Sequence, residues 1–331
     1  MQNSMTQKLI INKFNPEPEI ISQAANIINS GGLVAFPTET VYGLGANALN
    51  PEAVKKIFIA KGRPQDNPLI LHVSNFDQVN KLVYLNDTAK ILMREFWPGP
   101  LTLVLNAKNI IPLETRGGLN TVAIRMPDNP TALALISKSN TPIAAPSANL
   151  SGKPSPTDAN TVYNDMAGKI DLILDSGSVK IGIESTVIDV SDPNKILLLR
   201  PGGLGIELIE DFLHVKIISP DSDNLKLKRS PGTRYRHYAP NIPVIIYGSK
   251  IPDEKYKNYI NESAYIGLEM PNENFKEILI FDSVENYAHG LFSAFRKFED
   301  QHLIKYIFAQ WPPGNGIGLG LQDRIKRAAQ G

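Results

Sequence analysis

Three short segments near the start of the chain hold side chains suited to binding an anion and doing chemistry on it. Thr38-Glu39-Thr40-Val41-Tyr42-Gly43-Leu44-Gly45 offers hydroxyls and two glycines. Lys61-Gly62-Arg63-Pro64 offers two cations, and Asn67-Pro68-Leu69-Ile70-Leu71-His72 an amide and an imidazole. Arginine presents a planar fork that matches phosphate or carboxylate, and lysine a compact point charge. The set suits a polyphosphate-like ligand bound beside a small polar one. Plainer roles stay open. Lys61 and Arg63 follow an amphipathic run and could serve a helix C-terminus. His72 ends an apolar run, where a neutral ring either fills core or bonds a ligand.

Further along, Thr121-Val122-Ala123-Ile124-Arg125-Met126-Pro127 alternates like a strand, with Arg125 among apolar neighbours. A buried guanidinium needs an anionic partner: an acidic side chain or a ligand carboxylate. Ala145-Pro146-Ser147-Ala148-Asn149-Leu150-Ser151-Gly152 sits where a strand ends, the place where α/β sheets take ligands. A turn with local Asx-type bonds is the alternative. No histidine–carboxylate pair lies close in sequence to Ser147, so it is not read as a nucleophile. Gly182-Ile183-Glu184-Ser185-Thr186-Val187 again leads hydroxyls into a strand, and Arg200-Pro201-Gly202-Gly203 puts a cation at a strand end. Gly43 to Ala48 matches G-x-G-x-x-G/A on paper. The preceding strand ends at Pro37 and helical periodicity starts near Pro51, so a dinucleotide fingerprint is rejected. These glycines are read as a turn or a close backbone approach, and Gly314–Gly320 as a flexible loop into a helix.

The elements that must position these groups alternate. Apolar runs at Leu33–Phe36, Leu69–Val73, Leu101–Leu105, Val122–Met126, Ile143–Ala145, Leu172–Leu174, Thr186–Val190 and Ile196–Leu199 read as strands. Pro51–Ala60, Asp87–Trp97 and Pro130–Ser137 read as helices. This predicts an α/β domain on a mixed sheet. Regular periodicity fails around Pro220–Pro240, where rings and cations mix with prolines: a solvated linker or a segment laid across an anionic site. Beyond it, strands at Val244–Tyr247, Ala264–Leu268, Ile278–Phe281 and Ile304–Ala309 alternate with helices at Ser283–His302 and Leu321–Ala329. That pattern predicts a small, Rossmann-like parallel α/β layer domain.

The chain has 331 residues, 42% apolar and 20% charged, with net charge +1 and no cysteine. The charge balance gives no global field toward DNA or membrane, although a local basic groove stays open. Without cysteine there are no disulfides, thiolate catalysis or Cys-based zinc sites. The N-terminal residues lack a signal-peptide order, and no apolar run reaches membrane-spanning length. A cytoplasmic location is expected.

In their order, Thr38–Gly45, Lys61–Pro64 with Asn67–Leu69, Ala145–Gly152, Glu184–Val187 and Arg200–Gly203 resemble the motifs of the YrdC/Sua5 family. Ser230-Pro231-Gly232 with Tyr235-Arg236-His237-Tyr238-Ala239-Pro240 resembles the inter-domain linker of the long Sua5 form, and Gly316–Arg324 the end of its second domain. The resemblance implies a YrdC-like twisted mixed sheet with a concave ligand site over residues 1–215, a linker or lid over 216–240, and a Sua5-type C-terminal domain over 241–331. It implies a nucleotidyltransferase that makes L-threonylcarbamoyladenylate and pyrophosphate from L-threonine, bicarbonate and ATP. The product would pass to a tRNA threonylcarbamoyl-transferase machinery that modifies adenosine 37. By the same resemblance Thr40, His72, Arg125, Ala145 and Ser185 would hold threonine. Arg63, Asn67, Thr121, Ser147, Asn149, Ser155, Arg200 and Tyr238 would hold ATP. Lys61 and Arg63 would neutralise charge in the reaction, and Mg²⁺ would be bound mainly through the ATP phosphates, with no protein metal site. The rival reading is a double-stranded RNA-binding or regulatory module without ATP chemistry.

Overall fold

The computed structural model describes residues 5–218, 238–248, 252–301 and 303–330. Most of the expected linker, including Ser230–Gly232 and Tyr235–His237, lies outside the described residues; Tyr238, Ala239 and Pro240 lie within them.

The first unit runs β1 (Gln7–Ile10), α1 (Pro18–Asn29), β2 (Val34–Phe36), β3 (Gly43–Asn47), α2 (Pro51–Lys61), β4 (Ile70–His72), α3 (Phe76–Leu82), β5 (Val83–Tyr84), α4 (Asp87–Phe96), β6 (Leu101–Ala107), α5 (Leu113–Arg116), β7 (Thr121–Arg125), α6 (Pro130–Ser139), β8 (Ile143–Ala144), α7 (Ala159–Met166), β9 (Leu172–Asp175), β10 (Thr186–Asp189), β11 (Leu197–Arg200) and α8 (Ile206–Leu213). Among the described residues its strands form one sheet in the order β1-β9-β2-β3-β8-β4-β7-β6-β10-β11, with β5 added on β6. Parallel and antiparallel neighbours mix: β4 runs parallel to β7 but antiparallel to β8.

Local signals set the helices around the site. Before α2 the Asn50 side chain accepts from the Glu52 and Ala53 amides, Pro51 opens the first turn, and Gly62 ends the helix at φ 62°. Asn129 and Pro130 open α6 in the same way, and Asn140 closes it in the left-handed region. On one face of the sheet, α1 and α6 bury Ile21, Ala24, Ile28, Leu135 and Ile136 against Val34, Phe36 and Leu172. On the other, α2, α4 and α7 cover the larger core.

Of the two readings of Gly43 and Gly45, the turn is not what the structure has: both lie in strand β3. Gly45 is required by packing: a Cβ there would lie 2.7 Å from the Phe36 ring and 2.8 Å from the Ile143 side chain. Neighbouring strands β2 and β8 carry those groups.

The second unit is β12 (Val244–Tyr247), a 3₁₀ segment (Glu254–Glu262), β13 (Ser263–Gly267), β14 (Glu277–Ile280), α9 (Val284–Glu299), β15 (Tyr306–Gln310) and α10 (Ile317–Ala329). Its four described strands are all parallel, ordered β12-β15-β13-β14, the parallel layer the alternation predicted. Helix α10 starts four residues earlier than its periodicity suggests and takes in Gly318 and Gly320. Both glycines are forced by close approach: a Cβ on Gly318 would sit 2.0 Å from the Pro313 carbonyl, and one on Gly320 2.8 Å from that of Gly202.

The units meet along a seam where backbone touches backbone. Gly182, at φ +91°, leaves 2.3 Å between a built Cβ and the His289 Cα. A Cβ on Gly205 would come 2.9 Å from the Gly316 Cα. Val41 and Ile183 of the first unit belong to the core cluster of the second, beside Leu291, Phe292, Leu321 and Ile325. Arg296 reaches across to Asp165 through two bonds, 2.8 and 3.2 Å, and donates to the Pro154 carbonyl.

Candidate active site

A cleft opens beside β4, β7, the residues after β8 and the entry to β10. Thr40, Arg63, His72, Arg125, Ala145 and Ser147 line it, as do Asn149, Ser155, Ser185, Arg200 and Tyr238. These are eleven of the residues expected from the sequence, gathered from segments far apart in the chain. Lys61, Asn67 and Thr121 lie off that wall.

The register explains one corner. His72 and Arg125 are cross-strand neighbours at the ends of parallel β4 and β7. Arg125 is 3% exposed. Its Nη1 donates to the Thr40 hydroxyl (2.9 Å) and its Nε to the Gly99 carbonyl (3.2 Å). Its Nη2 lies 2.5 Å from Glu39 Oε2, an ion pair rather than an aligned hydrogen bond. Of the two partners anticipated for Arg125, the acidic side chain is present as Glu39, and Arg125 itself also lines the cleft. Thr40 is oriented in turn by Thr38, 2.9 Å away, whose hydroxyl donates to the Val41 carbonyl. His72 stands edge-on to Phe36 with ring centroids 6.0 Å apart. Burial first, and then the Arg125 charge, push its pKa down to about 3, so the ring is neutral.

Lys61 does not project toward the cleft. Its ammonium donates to the Ser147 carbonyl (2.6 Å) and to the Asn149 carbonyl, while its own carbonyl accepts from Ser151. It ties the end of α2 to the loop after β8. Burial, and second the nearby Arg63, push it well below the usual lysine range. Gly43 bridges Ser147 on the other side, so that loop is held from two directions. The Asn149 amide donates to the Leu150 and Lys153 carbonyls. Arg63 donates to the Pro68 carbonyl (3.3 Å). Asn67 is fully buried, and its amide has no partner among the described residues. Thr121 begins β7, four residues and about 13 Å of strand from Arg125.

The opposite wall is built on Glu184 and Arg200. Arg200 gives Nε (3.2 Å) and Nη2 (2.9 Å) to the Ser185 carbonyl, and Ser185 Oγ lies 2.7 Å from Thr102 Oγ1. Ser155 Oγ donates to Glu184 Oε1 (2.5 Å), and Arg324 Nε donates to Glu184 Oε2 (2.7 Å). Burial pushes the Glu184 carboxyl up, but Arg324, Arg200 and the Ser155 hydroxyl outweigh it and hold it below the usual carboxylate range. Tyr238 stacks on Phe292 (5.4 Å between centroids) and lies under the Arg324 guanidinium at 5.1 Å. It adopts φ 65°, and the next amide, of Ala239, donates to the Gly152 carbonyl.

Glu39, Glu184 and Arg324 are absent from the sequence expectation of site residues. Arg324 carried a readable signal. It falls among Leu321, Ile325 and Ala328 on the buried face of α10, the same charge-among-apolars pattern that marked Arg125.

A family model described as "Telomere recombination" (Sua5–YciO–YrdC) matches residues 26–202, and one described as "Threonylcarbamoyl-AMP synthase, C-terminal domain" matches 205–330. The chain is 45% identical over 320 residues to a threonylcarbamoyl-AMP synthase of Pyrococcus abyssi, covering 92% of this chain and 93% of the relative. It is 44% identical over 326 residues to that of Bacillus subtilis, covering 94% and 93%. The crystal structure of P. abyssi Sua5 complexed with L-threonine superposes with a TM-score of 0.86 at 43% identity, covering 97% of this chain and 98% of that one. Escherichia coli YciO matches a shorter stretch, 59% of this chain and 95% of its own, with a TM-score of 0.55 at 26% identity. The chain belongs to the Sua5–YciO–YrdC family and carries the Sua5 C-terminal domain as well.

Proposed function

We propose that this protein is a threonylcarbamoyl-AMP synthase. The observation that carries the reading is the joining, in one cleft, of the Arg125 corner and the Arg63–Ser147–Arg200 wall. A carboxylate-seeking guanidinium with a flanking hydroxyl suits an amino acid, and the facing cations and small polar groups suit a nucleotide. Relatives named for this activity, and a threonine-bound relative of the same fold, support it.

In this reading threonine lies with its carboxylate toward Arg125 and its hydroxyl among Thr40, His72 and Ser185, against Ala145. Its amine, once deprotonated, attacks the bicarbonate carbon; the C–O bond to the bicarbonate hydroxyl breaks, that oxygen leaves as water with a proton from the amine, and a carbamate remains. A carbamate oxygen then attacks the α-phosphorus of ATP, and pyrophosphate leaves, which makes the enzyme a nucleotidyltransferase. No covalent enzyme intermediate is required, so catalysis rests on positioning and charge stabilisation. Arg63 neutralises phosphate charge directly. Lys61 acts one step back, by fixing the loop that presents Ser147 and Asn149. With so low a pKa, His72 is too weak a base to take the amine proton and serves as a neutral wall. Asn67 and Thr121 join the nucleotide side if the ligand reaches past the present wall. Glu184, the carboxylate on the cleft wall, is already engaged by Ser155 and Arg324. That donor set fits Mg²⁺ held through the ATP phosphates, where the ion would offset their negative charge.

The functional division follows 1–215 for catalysis, 216–240 for a covering linker and 241–331 for the C-terminal domain. The adenylate passes to a tRNA threonylcarbamoyl-transferase machinery in the cytoplasm. No helix among the described residues is long and apolar enough to cross a membrane.

The deciding experiment is pyrophosphate release from ATP with L-threonine and bicarbonate supplied together and singly. Release that needs both co-substrates supports the synthase. Release without threonine, or none from folded protein, refutes it.

A further inference from the structure

Two of the places where a C-terminal layer of this kind could take a ligand already hold side chains of the protein. Parallel α/β sheets bind ligands at the carboxyl ends of their strands and at helix N-termini. Here Gln310 Oε1 accepts from the Leu268 (2.6 Å) and Glu269 (3.1 Å) amides at the strand ends. At the start of α10 the Gly316 amide donates to Glu207 of the first unit (3.3 Å). What the layer sends outward instead is Arg324.

Arg324 has 0% exposure, on a helix face that otherwise packs core. A buried guanidinium is costly unless its donors are met. Some of its partners lie in the first unit: Glu184 Oε2 at 2.7 Å and the Pro201 carbonyl at 2.9 Å. Its neighbour Asp323 takes another bond at 2.8 Å. Glu184 spends its second oxygen on the Ser155 hydroxyl. A serine hydroxyl has one proton, so Ser155 is left with acceptor lone pairs for any cleft ligand. Glu184, Ser155 and Tyr238 line the cleft, and Arg324 stands behind all three.

We propose that Arg324 is a positioning residue of the active site, acting through Glu184 on Ser155 and through its ring contact on Tyr238, so that the C-terminal domain completes the nucleotide side of the cleft. This rests on the synthase reading and extends it: the second domain acts as a fixed strut of the ATP site.

The test is a double-mutant cycle on the full chain, read by threonine- and bicarbonate-dependent pyrophosphate release. Arg324→Met is expected to raise the KM for ATP by about tenfold or more, the worth of one charge-assisted bond, and to leave the KM for threonine within about threefold. Glu184→Gln has no charge to balance. Adding Arg324→Met to it is expected to cost less than about threefold more, a non-additive cycle. His289→Ala loosens the same seam, where the ring meets the Val179 carbonyl at 3.0 Å, but touches nothing in the cleft. It is expected to lower thermal stability with the KM for ATP unchanged.

Three results overturn the proposal: an unaltered KM for ATP in folded Arg324→Met, losses that multiply in the cycle, or a His289→Ala defect equal to that of Arg324→Met. Should Arg324→Met fail to fold, Arg324→Lys replaces it. Its ammonium keeps the charge but cannot hold Glu184 and the Pro201 carbonyl in one plane, and an unaltered KM for ATP there overturns the proposal too. Absence of release by the unmodified enzyme removes the synthase reading and this proposal with it; release with additive losses removes this proposal alone.

Discussion

The neutral state of His72 makes a prediction that can be worked through. The ring is 4% exposed, lies against Phe36 and neighbours the Arg125 cation across the β4–β7 pair. Burial and that cation lower its pKa from 6.5 to about 3. In the unfolded chain the ring takes up its proton near 6.5. Below that pH the unfolded state binds more protons than the folded state, so stability must fall as pH falls, until the folded ring also titrates near 3. The slope in this window is about 1.4 kcal/mol per pH unit. From pH 7 to pH 5 the loss is about 2 kcal/mol. With an unfolding entropy of about 0.7 kcal/mol/K for 331 residues, this lowers Tm by about 3 °C. His72→Gln, which cannot titrate, should lose about 3 °C less than the unmodified protein between these two pH values. Calorimetry on both proteins gives the comparison, and histidine ring resonances followed by NMR from pH 8 to 5 give a direct reading. Equal losses in the two proteins, or a His72 midpoint near 6.5, would refute the reasoning.

Replacing Arg125 with lysine removes the fork that reaches Thr40, the Gly99 carbonyl and Glu39 at once. The KM for threonine should rise about 30-fold, near 2 kcal/mol, with the KM for ATP little changed; an equal rise in both would reject a role specific to the threonine carboxylate. Lys61→Met should lower kcat/KM for ATP by a similar factor, because the Ser147 and Asn149 carbonyls lose their shared donor. Its Tm should move by less than about 3 °C, since relief of a buried ammonium offsets the lost bonds; an unaltered kcat/KM would show that the loop needs no such tie. Gly182→Ala places a Cβ 2.3 Å from the His289 Cα at φ +91°. The backbone conformation alone costs about 1–2 kcal/mol, so scanning fluorimetry should show Tm reduced by at least about 2 °C. An unaltered Tm would mean that the seam is looser than described.

What could be read from the sequence divides along a physical line. Arg125, Ser147, Asn149 and Arg200 were legible because a polar group at the end of an apolar run is conspicuous, and strand ends are where sheets take ligands. The alternation that marked β4, β7 and β10 is local, so it survives without knowledge of partners. Strand β3 is hard to read because Gly43 and Gly45 leave a turn and a close backbone approach equally open, while the reason for Gly45, the Phe36 ring on the next strand, is not local. The start of α10 was missed for the same cause, since Gly318 and Gly320 answer to Pro313 and Gly202. The direction of the Lys61 side chain could not be read either. Its spacing from Arg63 suggests two cations on one ligand, yet its ammonium is satisfied by carbonyls of Ser147 and Asn149, far along the chain. Glu184 and Arg324 make sense only as a pair, and they lie 140 positions apart.

The seam of glycines has a consequence for how the chain can be divided. Val41 and Ile183 are buried in the core cluster of the C-terminal layer, and Leu321 and Ile325 pack in that same cluster. A fragment ending near residue 215 would turn Val41 and Ile183 to water and become prone to self-association. A fragment beginning near 241 would lose the Glu184 and Pro201 partners of Arg324 and expose its guanidinium beside the apolar Leu321 and Ile325. Though built on two sheets, the protein should therefore denature in one event. The chain carries its own reporters: its two tryptophans fall one on each side, Trp97 with its indole donating to the Leu101 carbonyl and Trp311 just after β15. Because the core is shared, the emission of both should change together, and neither half should outlast the other.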